Sequence, residues 1–223
     1  MAPPSIVLSY PAIHPDDLVD HVEFLRECGY AFVAAGELVD RWPAGGEPET
    51  GLVSVCLEGG HRNELLVASP LLSVLGVPAT HFIDPSRLGA DKDSLSRADA
   101  EILAASGAEL GVAANGVPLA GARAQVEQLA GRPCRVLAWP DEPEAGHTAT
   151  AAAEAGFDAA FTAAPGPWRR FAAPRLRVPA RDGLVSLARW MERHQGRLRA
   201  AFVGVLFELD IFDVFDVVTN GAF

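Results

Sequence analysis

A strand–turn–helix–strand pattern in residues 52–84 constrains the fold of this chain more than any other feature. Residues 52–57 form a short, partly β-branched apolar run bounded by turn residues, which is typical of a buried strand. The Glu58-Gly59-Gly60 turn ends this run, Asn63 can cap the helix that follows, and Pro78 precedes the next apolar run. The pattern predicts a β-α-β unit, with Glu58 at the carboxyl end of a parallel strand, where such folds place their chemistry.

Similar patterns extend along most of the chain. Apolar runs predict strands near residues 5–10, 31–34, 107–112, 134–139 and 159–162, and helical patterns lie near 16–28, 94–105, 120–129, 148–155 and 184–194. A single α/β barrel fits within 223 residues. The apolar tail fits the period of a strand or of a helix, so its type stays open. We expect a barrel domain in residues 1–198 and an extension in residues 199–223 that covers the barrel or a second subunit, giving a homo-oligomer.

Composition excludes several classes of partner. The net charge of −11 argues against a nucleic-acid backbone and against an anionic membrane surface, because proteins that bind either present basic patches. The three cysteines are far apart and form no Cys-x-x-Cys pair, so neither a disulfide framework nor a thiolate zinc site is indicated. The amino-terminal residues lack a basic segment followed by a long apolar run, and no stretch is long enough to span a membrane. We therefore expect a cytoplasmic protein.

Two motifs in the central unit resemble those of a known family. The chain reads Cys-Leu-Glu-Gly-Gly in residues 56–60 and Pro-Ala-Thr-His-Phe in residues 78–82. These resemble the Thr-Phe-Asp-Asp-Gly and Pro-Ala-Thr-Phe-Phe motifs of the polysaccharide deacetylase (NodB-homology) family. Weaker matches extend the resemblance over about residues 5–195, including Gly-Phe at 156–157 and Pro-Arg-x-x-Val at 174–178. The resemblance implies an α/β fold, a distorted (β/α) barrel.

The same resemblance implies that the family's metal site is missing. Glu58 falls at the position of the general base, and Gly59 falls at the position of the aspartate that binds the metal. The two histidines of the family's second motif correspond to Ala113 and Val117. Divalent ions of this kind need imidazole or carboxylate lone pairs, which these three side chains do not have. We therefore predict no metal ligands and no cofactor.

Two charged residues are the main candidates for chemistry. Glu58 is either a general base in a pocket or a residual carboxylate that hydrogen-bonds a loop. Arg175 either orients an anionic group with its two-pronged guanidinium or pairs with an acid such as Glu58. The residues predicted to line the pocket and bind a small-molecule or carbohydrate-like ligand are Tyr10, His14, His61, Trp139, Asp141 and Arg175.

Three functions stay open on this sequence. The first is a repurposed, metal-independent enzyme or small-molecule-binding protein that uses the old sugar pocket, with Glu58 as acid or base. The second is an inactive domain that serves as a binding partner. The third is an active carbohydrate N-deacetylase with atypical residues. An open polar pocket favours the first function, and a pocket filled by side chains favours the second.

Overall fold

A computed structural model describes residues 2–12, 14–140 and 148–178, together with Leu184, Leu187, Ala188 and Met191. Strands and helices alternate along the chain. The strands are β1 Ile6–Tyr10, β2 Ala31–Phe32, β3 Leu52–Glu58, β4 Ala79–Ile83, β5 Glu109–Ala113, β6 Val136–Ala138, β7 Ala159–Thr162, β8 Ala173–Pro174 and β9 Leu176–Arg177. The helices are α1 Pro15–Glu27, α2 Ala35–Asp40, α3 Ser69–Val74, α4 Arg97–Ala105, α5 Leu119–Ala130 and α6 Ala149–Glu154.

The strands form one parallel sheet that nearly closes into a barrel. Their order is β8-β7-β6-β5-β4-β3-β1-β9, and β2 adds to β3. β8 pairs with β7 and β9 pairs with β1, yet only Arg175 separates β8 from β9 in the chain. This short segment therefore joins the two edges of the sheet. The predicted distorted (β/α) barrel is confirmed.

Side chains from alternate positions fill the barrel. One apolar cluster, which includes Val7, Cys56, Phe82 and Phe161, occupies the interior, and two others lie between the strands and the helices. A Cβ atom at Gly111 would lie 2.7 Å from the ring of Phe82, so only glycine lets β5 approach that ring. The interior is thus a packed core below its carboxyl-end mouth.

Helix α2 covers the opposite, amino end of the barrel. The backbone N–H of Ala35 donates to Thr80 Oγ1 at 2.9 Å, and that of Gly36 donates to Glu109 Oε2 at 2.9 Å. Thr80 Oγ1 also donates to the same carboxylate oxygen at 2.6 Å. These bonds satisfy the polar groups at the amino end of the barrel, so the carboxyl end is its open side.

The helix predicted after β3 begins differently from the expectation. Residues Glu64–Ala68 form a turn of π-helix, and α3 begins only at Ser69. Such turns often accompany functional sites because they displace a side chain from the regular helical spiral. Among the described residues, no helix is both long and apolar enough to cross a membrane. Residues 199–223 and the boundary at residue 198 lie outside the described residues, so the domain division stays a prediction.

Candidate functional site

A pocket of about 290 Å³ opens at the carboxyl ends of the strands. Main-chain and side-chain atoms from β3, β5, β6 and β9 and from the loops that follow them form its walls. This is the end of the barrel at which enzymes of this architecture bind their substrates. The residues that line it are Pro11, Glu58, Gly59, His61, Arg87, Ala113, Asn115, Ala138, Trp139, Pro140, Arg175 and Arg177.

An ion pair between Glu58 and Arg175 forms the floor of this pocket. Arg175 Nε lies 2.5 Å from Glu58 Oε1 in an ionic contact that lacks hydrogen-bond geometry, and Nη2 donates to Oε2 at 3.2 Å. The side chain of Arg175 is 2% exposed and that of Glu58 is 14% exposed. Of the two alternatives for Arg175, pairing with Glu58 is therefore the one observed, while Glu58 keeps a face toward the pocket.

Arg175 also binds main-chain oxygens of two other strands. Nη1 donates to the carbonyl of Phe161 in β7 at 2.9 Å, and Nη2 donates to the carbonyl of Trp139, just after β6, at 2.8 Å. The backbone N–H of Arg175 donates to Thr162 at 2.8 Å. The guanidinium therefore crosses the barrel from the β8–β9 joint to β3, β6 and β7. Charged hydrogen bonds of this kind are stronger than neutral ones.

A hydrogen-bonded pair, Glu64 and His81, positions the loop that carries His61. Glu64 Oε1 accepts from the backbone N–H of His61 at 3.0 Å, and its Oε2 lies 2.9 Å from His81 Nδ1. Glu64 and His81 are both buried between β4 and the π-helical turn. His81 is thus a packed strand residue. The pair fixes the backbone of the loop whose His61 side chain reaches the pocket.

Asp84 fixes the conformation of the loop that follows β4. It follows β4 and accepts from the Ser86 N–H at 2.9 Å and from the Ser86 hydroxyl at 2.6 Å. Its other oxygen accepts from Asn115 Nδ2 at 3.3 Å. These contacts hold the short 3-10 turn Pro85–Arg87 and orient the amide of Asn115 at the pocket wall.

The structure places only some of the predicted ligand-binding residues at the pocket. His61, Trp139 and Arg175 line the pocket together with Glu58. Tyr10 and His14 do not line it, which corrects their predicted position. Tyr10 pairs in register with Leu57 rather than with Glu58, so it faces the helices, where its hydroxyl lies 3.1 Å from His21 Nδ1. His14 is exposed at the start of α1, and Asp141 lies outside the described residues.

The three cysteines offer no reactive thiol near the pocket. Burial raises the pKa of Cys28 to about 11 and that of Cys134 to about 12. Cys56, in the barrel interior, has its pKa raised by burial and by the nearby charge of Glu58. A thiol is nucleophilic only as a thiolate, so these residues act as small packing side chains near neutral pH.

A larger cavity of about 580 Å³ lies beside the joint between β8 and β9. It runs along the amino-terminal half of β1 and the loop that carries Trp168, and proline, glycine and apolar side chains form much of its wall. It lies away from the carboxyl ends of the central strands. The smaller pocket therefore remains the candidate site, because the ion pair and the polar loops converge there.

Solved structures with similar folds identify the architecture. The barrel superposes on IcaB from Ammonifex degensii with a TM-score of 0.71 and 19% identity, covering 84% of this chain and 97% of that one. It superposes on the Streptococcus pyogenes deacetylase PplD in complex with acetate with a TM-score of 0.67 and 14% identity, covering 86% and 99%. It superposes on the putative polysaccharide deacetylase BA0330 from Bacillus anthracis with a TM-score of 0.65 and 16% identity, covering 85% of this chain and 68% of that one.

The chain has the polysaccharide deacetylase fold. No family model matches its sequence, and no curated protein matches it either. The sequence resemblance in the motifs and the shared architecture therefore agree on the fold. At this level of identity the likeness concerns architecture and not chemistry.

Gly59, which the sequence resemblance aligns with a metal-binding aspartate, has an unusual backbone conformation. Gly59 has φ +124°, a backbone conformation that residues with a side chain rarely adopt. A Cβ atom at this position would lie 2.8 Å from the His61 ring, so the imidazole fills the space in front of Gly59. Ala113, which the sequence resemblance aligns with a histidine of the family, also lines the pocket. No group of three histidine, cysteine or carboxylate side chains that could hold a metal ion occurs among the described residues.

Sequence reasoning missed several members of the pocket and its support. Arg87, Asn115 and Arg177 line the pocket but were not among the predicted site residues. The two-residue spacing of Arg175 and Arg177 was the available signal, since residues at that spacing in a strand share a face. The Glu64–His81 pair carried no such signal, because the two residues belong to different elements and meet only in the folded chain.

Proposed function

We propose that this chain is a metal-independent small-molecule-binding protein built on the polysaccharide deacetylase fold. Its ligand occupies the pocket at the carboxyl ends of the strands. The observation that carries the proposal is the open pocket of about 290 Å³ around a buried Glu58–Arg175 pair. Its volume lies at the small end of the range for ligand pockets, so a monosaccharide-sized molecule suits it.

The side chains that line the pocket support a function without a metal ion. Gly59 and Ala113 supply no lone pairs where the resemblance implies ligands, and Glu58 is engaged by Arg175. A cation at the same place would also meet the charge of the buried guanidinium. These residues do not fit the divalent ion of the family, and no step of the proposed function uses one.

A second candidate function is acid–base catalysis on the bound molecule. Glu58 favours it, because this carboxylate keeps a 14% exposed face toward the pocket and stands where the resemblance implies a general base. The guanidinium holds the carboxylate in one orientation, which is a condition for proton transfer to a positioned substrate. The His61 imidazole also lines the pocket wall.

A binding screen tests the first proposal. Glucose, N-acetylglucosamine, glucosamine and glucuronate are added to the protein and followed by ligand-observed NMR. A variant with an aromatic side chain at the exposed mouth, Asn115→Phe, should lose the binding while keeping the melting temperature of the parent. Glu58→Gln is unsuitable here because it also disturbs Arg175. If none of the sugars binds, the pocket is not a small-molecule site and a partner domain replaces the proposal.

An activity assay tests metal independence. The protein is incubated with N-acetylglucosamine oligomers, with and without added zinc or cobalt, and released acetate is measured. We expect no release above that of a Glu58→Ala control, because no group of side chains within the described part of the chain could hold a metal ion that activates water. Metal-dependent release of acetate above the control would instead establish an N-deacetylase with atypical residues.

A further inference from the structure

The cavity of about 580 Å³ marks a gap in the barrel wall, on the amino side of the joint between β8 and β9. Ile6 and Val7 line it, and both pair with β3 on their other side. Within the described part of the chain, β9 pairs with β1 at Leu8 and Ser9 and does not extend down to these two residues. An open strand edge of this kind is usually paired or covered in native proteins.

The wall of this cavity suits apolar side chains. Four prolines and a tryptophan are among its lining residues: Pro4, Pro165, Pro167, Pro174 and Trp168. The stretch of residues 165–167 is exposed, and the half-buried Trp168 packs edge-on against Trp42 with ring centroids 5.3 Å apart. Covering this surface would remove a continuous apolar area from water, which is the main source of favourable free energy in packing.

The chain that follows β9 leads back to this gap. Leu184, Leu187, Ala188 and Met191 are helical, have the spacing of one helix face, and belong to the outer apolar cluster. Ile6 belongs to the same cluster and also lines the cavity. A helix that follows a strand of a parallel sheet returns the chain toward the amino ends of the strands. The chain beyond Met191 therefore begins beside the cavity, at the end of the barrel where the gap lies.

A suitable apolar segment comes soon after this helix. Residues 202–207 read Phe-Val-Gly-Val-Leu-Phe, without a polar side chain, whereas residues 192–200 are mostly polar. A continuous apolar run of this length is typical of a strand that is buried on both faces. The polar stretch can span about 30 Å when extended, which is enough to reach the cavity from Met191.

We propose that residues 202–207 occupy this cavity of their own chain, as an extended segment beside the amino-terminal half of β1. The segment covers the open edge at Ile6 and Val7, and its side chains pack against Trp168 and the prolines of the wall. This use of the cavity is separate from ligand binding, because the candidate ligand pocket opens at the carboxyl ends of the strands. The tail then serves to complete the barrel wall.

Cross-linking of paired cysteines tests this inference. Gly166→Cys places an exposed thiol at the cavity, where an added Cβ atom meets no other atom within 4 Å. It is combined in turn with Val203→Cys, Val205→Cys or Phe207→Cys, and a short bismaleimide is added. We expect a cross-link within one chain for at least one of the three pairs, identified by peptide mass spectrometry. The buried native cysteines should stay unmodified.

Gly121→Cys provides the matched control. Gly121 is also exposed, and an added Cβ atom there likewise meets no atom within 4 Å. It lies on α5, which packs on β5, on the far side of the barrel from β1. Combined with the same tail cysteines, it should give at least fivefold less cross-linked product than Gly166→Cys does.

Hydrogen exchange of the parent protein gives a second measurement that needs no cysteine. Amides of residues 202–207 should exchange at least tenfold more slowly than those of a free peptide with the same sequence, because a packed segment is protected. Val205→Asp places a charge against the apolar wall and should release the segment. In this variant the protection of residues 202–207 should be lost, and exchange in residues 5–7 should become faster than in the parent.

Any of three results would overturn the inference. The first is that no tail cysteine reacts with Gly166→Cys more than with Gly121→Cys. The second is that residues 202–207 exchange as fast as the free peptide. The third is that cross-links to Gly166→Cys form between chains and not within one, which assigns the cavity to the tail of a second copy. None of these results bears on the ligand pocket, so the proposed function stands or fails separately.

Discussion

Replacing Glu58 with glutamine perturbs the ion pair on which the barrel mouth is built. The change keeps the shape of the side chain but removes its charge, so the guanidinium of Arg175, 2% exposed, loses its carboxylate partner and keeps its bonds to the carbonyls of Phe161 and Trp139. Breaking a buried ion pair on one side costs about 3–5 kcal/mol. The amide oxygen of glutamine can still accept one bond, so we expect a loss near the lower limit, about 3 kcal/mol of the free energy of unfolding.

A double-mutant cycle measures the pair itself. Arg175→Met removes the same contact from the other side, together with the bonds to Phe161 and Trp139, and should cost about 4 kcal/mol. The double variant should cost less than the sum of the two, with a coupling energy of about 2 kcal/mol. Urea unfolding followed by circular dichroism gives these values, and Glu58→Gln alone should lower the melting temperature by roughly 6–12 °C.

The exposed pair Glu37–Arg41 provides the matched control. It joins the same two residue types, but its side chains are 46% and 43% exposed, and such pairs contribute about 0.5 kcal/mol or less. A Glu37→Gln, Arg41→Met cycle should therefore show almost no coupling. If Glu58–Arg175 couples no more strongly than this control, the reasoning that burial makes the pair stabilising is refuted.

Three further predictions concern other parts of the molecule. Glu64→Met should cost about 2–3 kcal/mol because it leaves the buried His81 unpaired, and faster hydrogen exchange at the His61 amide would show the released loop; unchanged exchange would contradict this role. Hydrogen bonds from Ser96 lower the pKa of Asp99, so the ionised carboxylate stabilises the fold above pH about 4, and this stabilisation is lost as the pH falls through the folded-state pKa. In Ser96→Ala the free energy of unfolding, measured by urea unfolding, should therefore decrease less between neutral and acidic pH than in the parent. Deleting residues 201–223 should change the mass measured by light scattering or leave an insoluble protein, and an unchanged soluble protein would show the tail to be idle.

Most of the strand and helix order was predictable because it depends on local patterns. The run in residues 52–57 became β3, and helices predicted near residues 16–28 and 120–129 appear as α1 and α5. The π-helical turn Glu64–Ala68 was not predictable, since its residues have ordinary helical propensity. Its conformation accompanies the contacts of Glu64 with His81 and the His61 loop, which the sequence does not show.

The pocket was predictable in part. Glu58 and Trp139 could be placed at the pocket because each stands at the end of an apolar run, whereas His61 and Arg175 were placed there by the resemblance to the family's motifs. The predicted position of Tyr10 at the pocket was wrong, because the face to which a strand residue points depends on the pairing register, and β1 pairs Tyr10 with Leu57. Arg87 and Asn115 were missed because loop residues carry no periodic signal.

The sequence by itself determined the alternation of strands and helices, the carboxylate at the end of β3, and the absence of donors at Gly59, Ala113 and Val117. These are properties of single positions and short patterns. Only the tertiary structure decided that Arg175 reaches Glu58, 117 residues away, and that Arg87 and Arg177 share its pocket. Barrel closure brings these side chains together, because the parallel order of the strands places distant chain ends at one mouth.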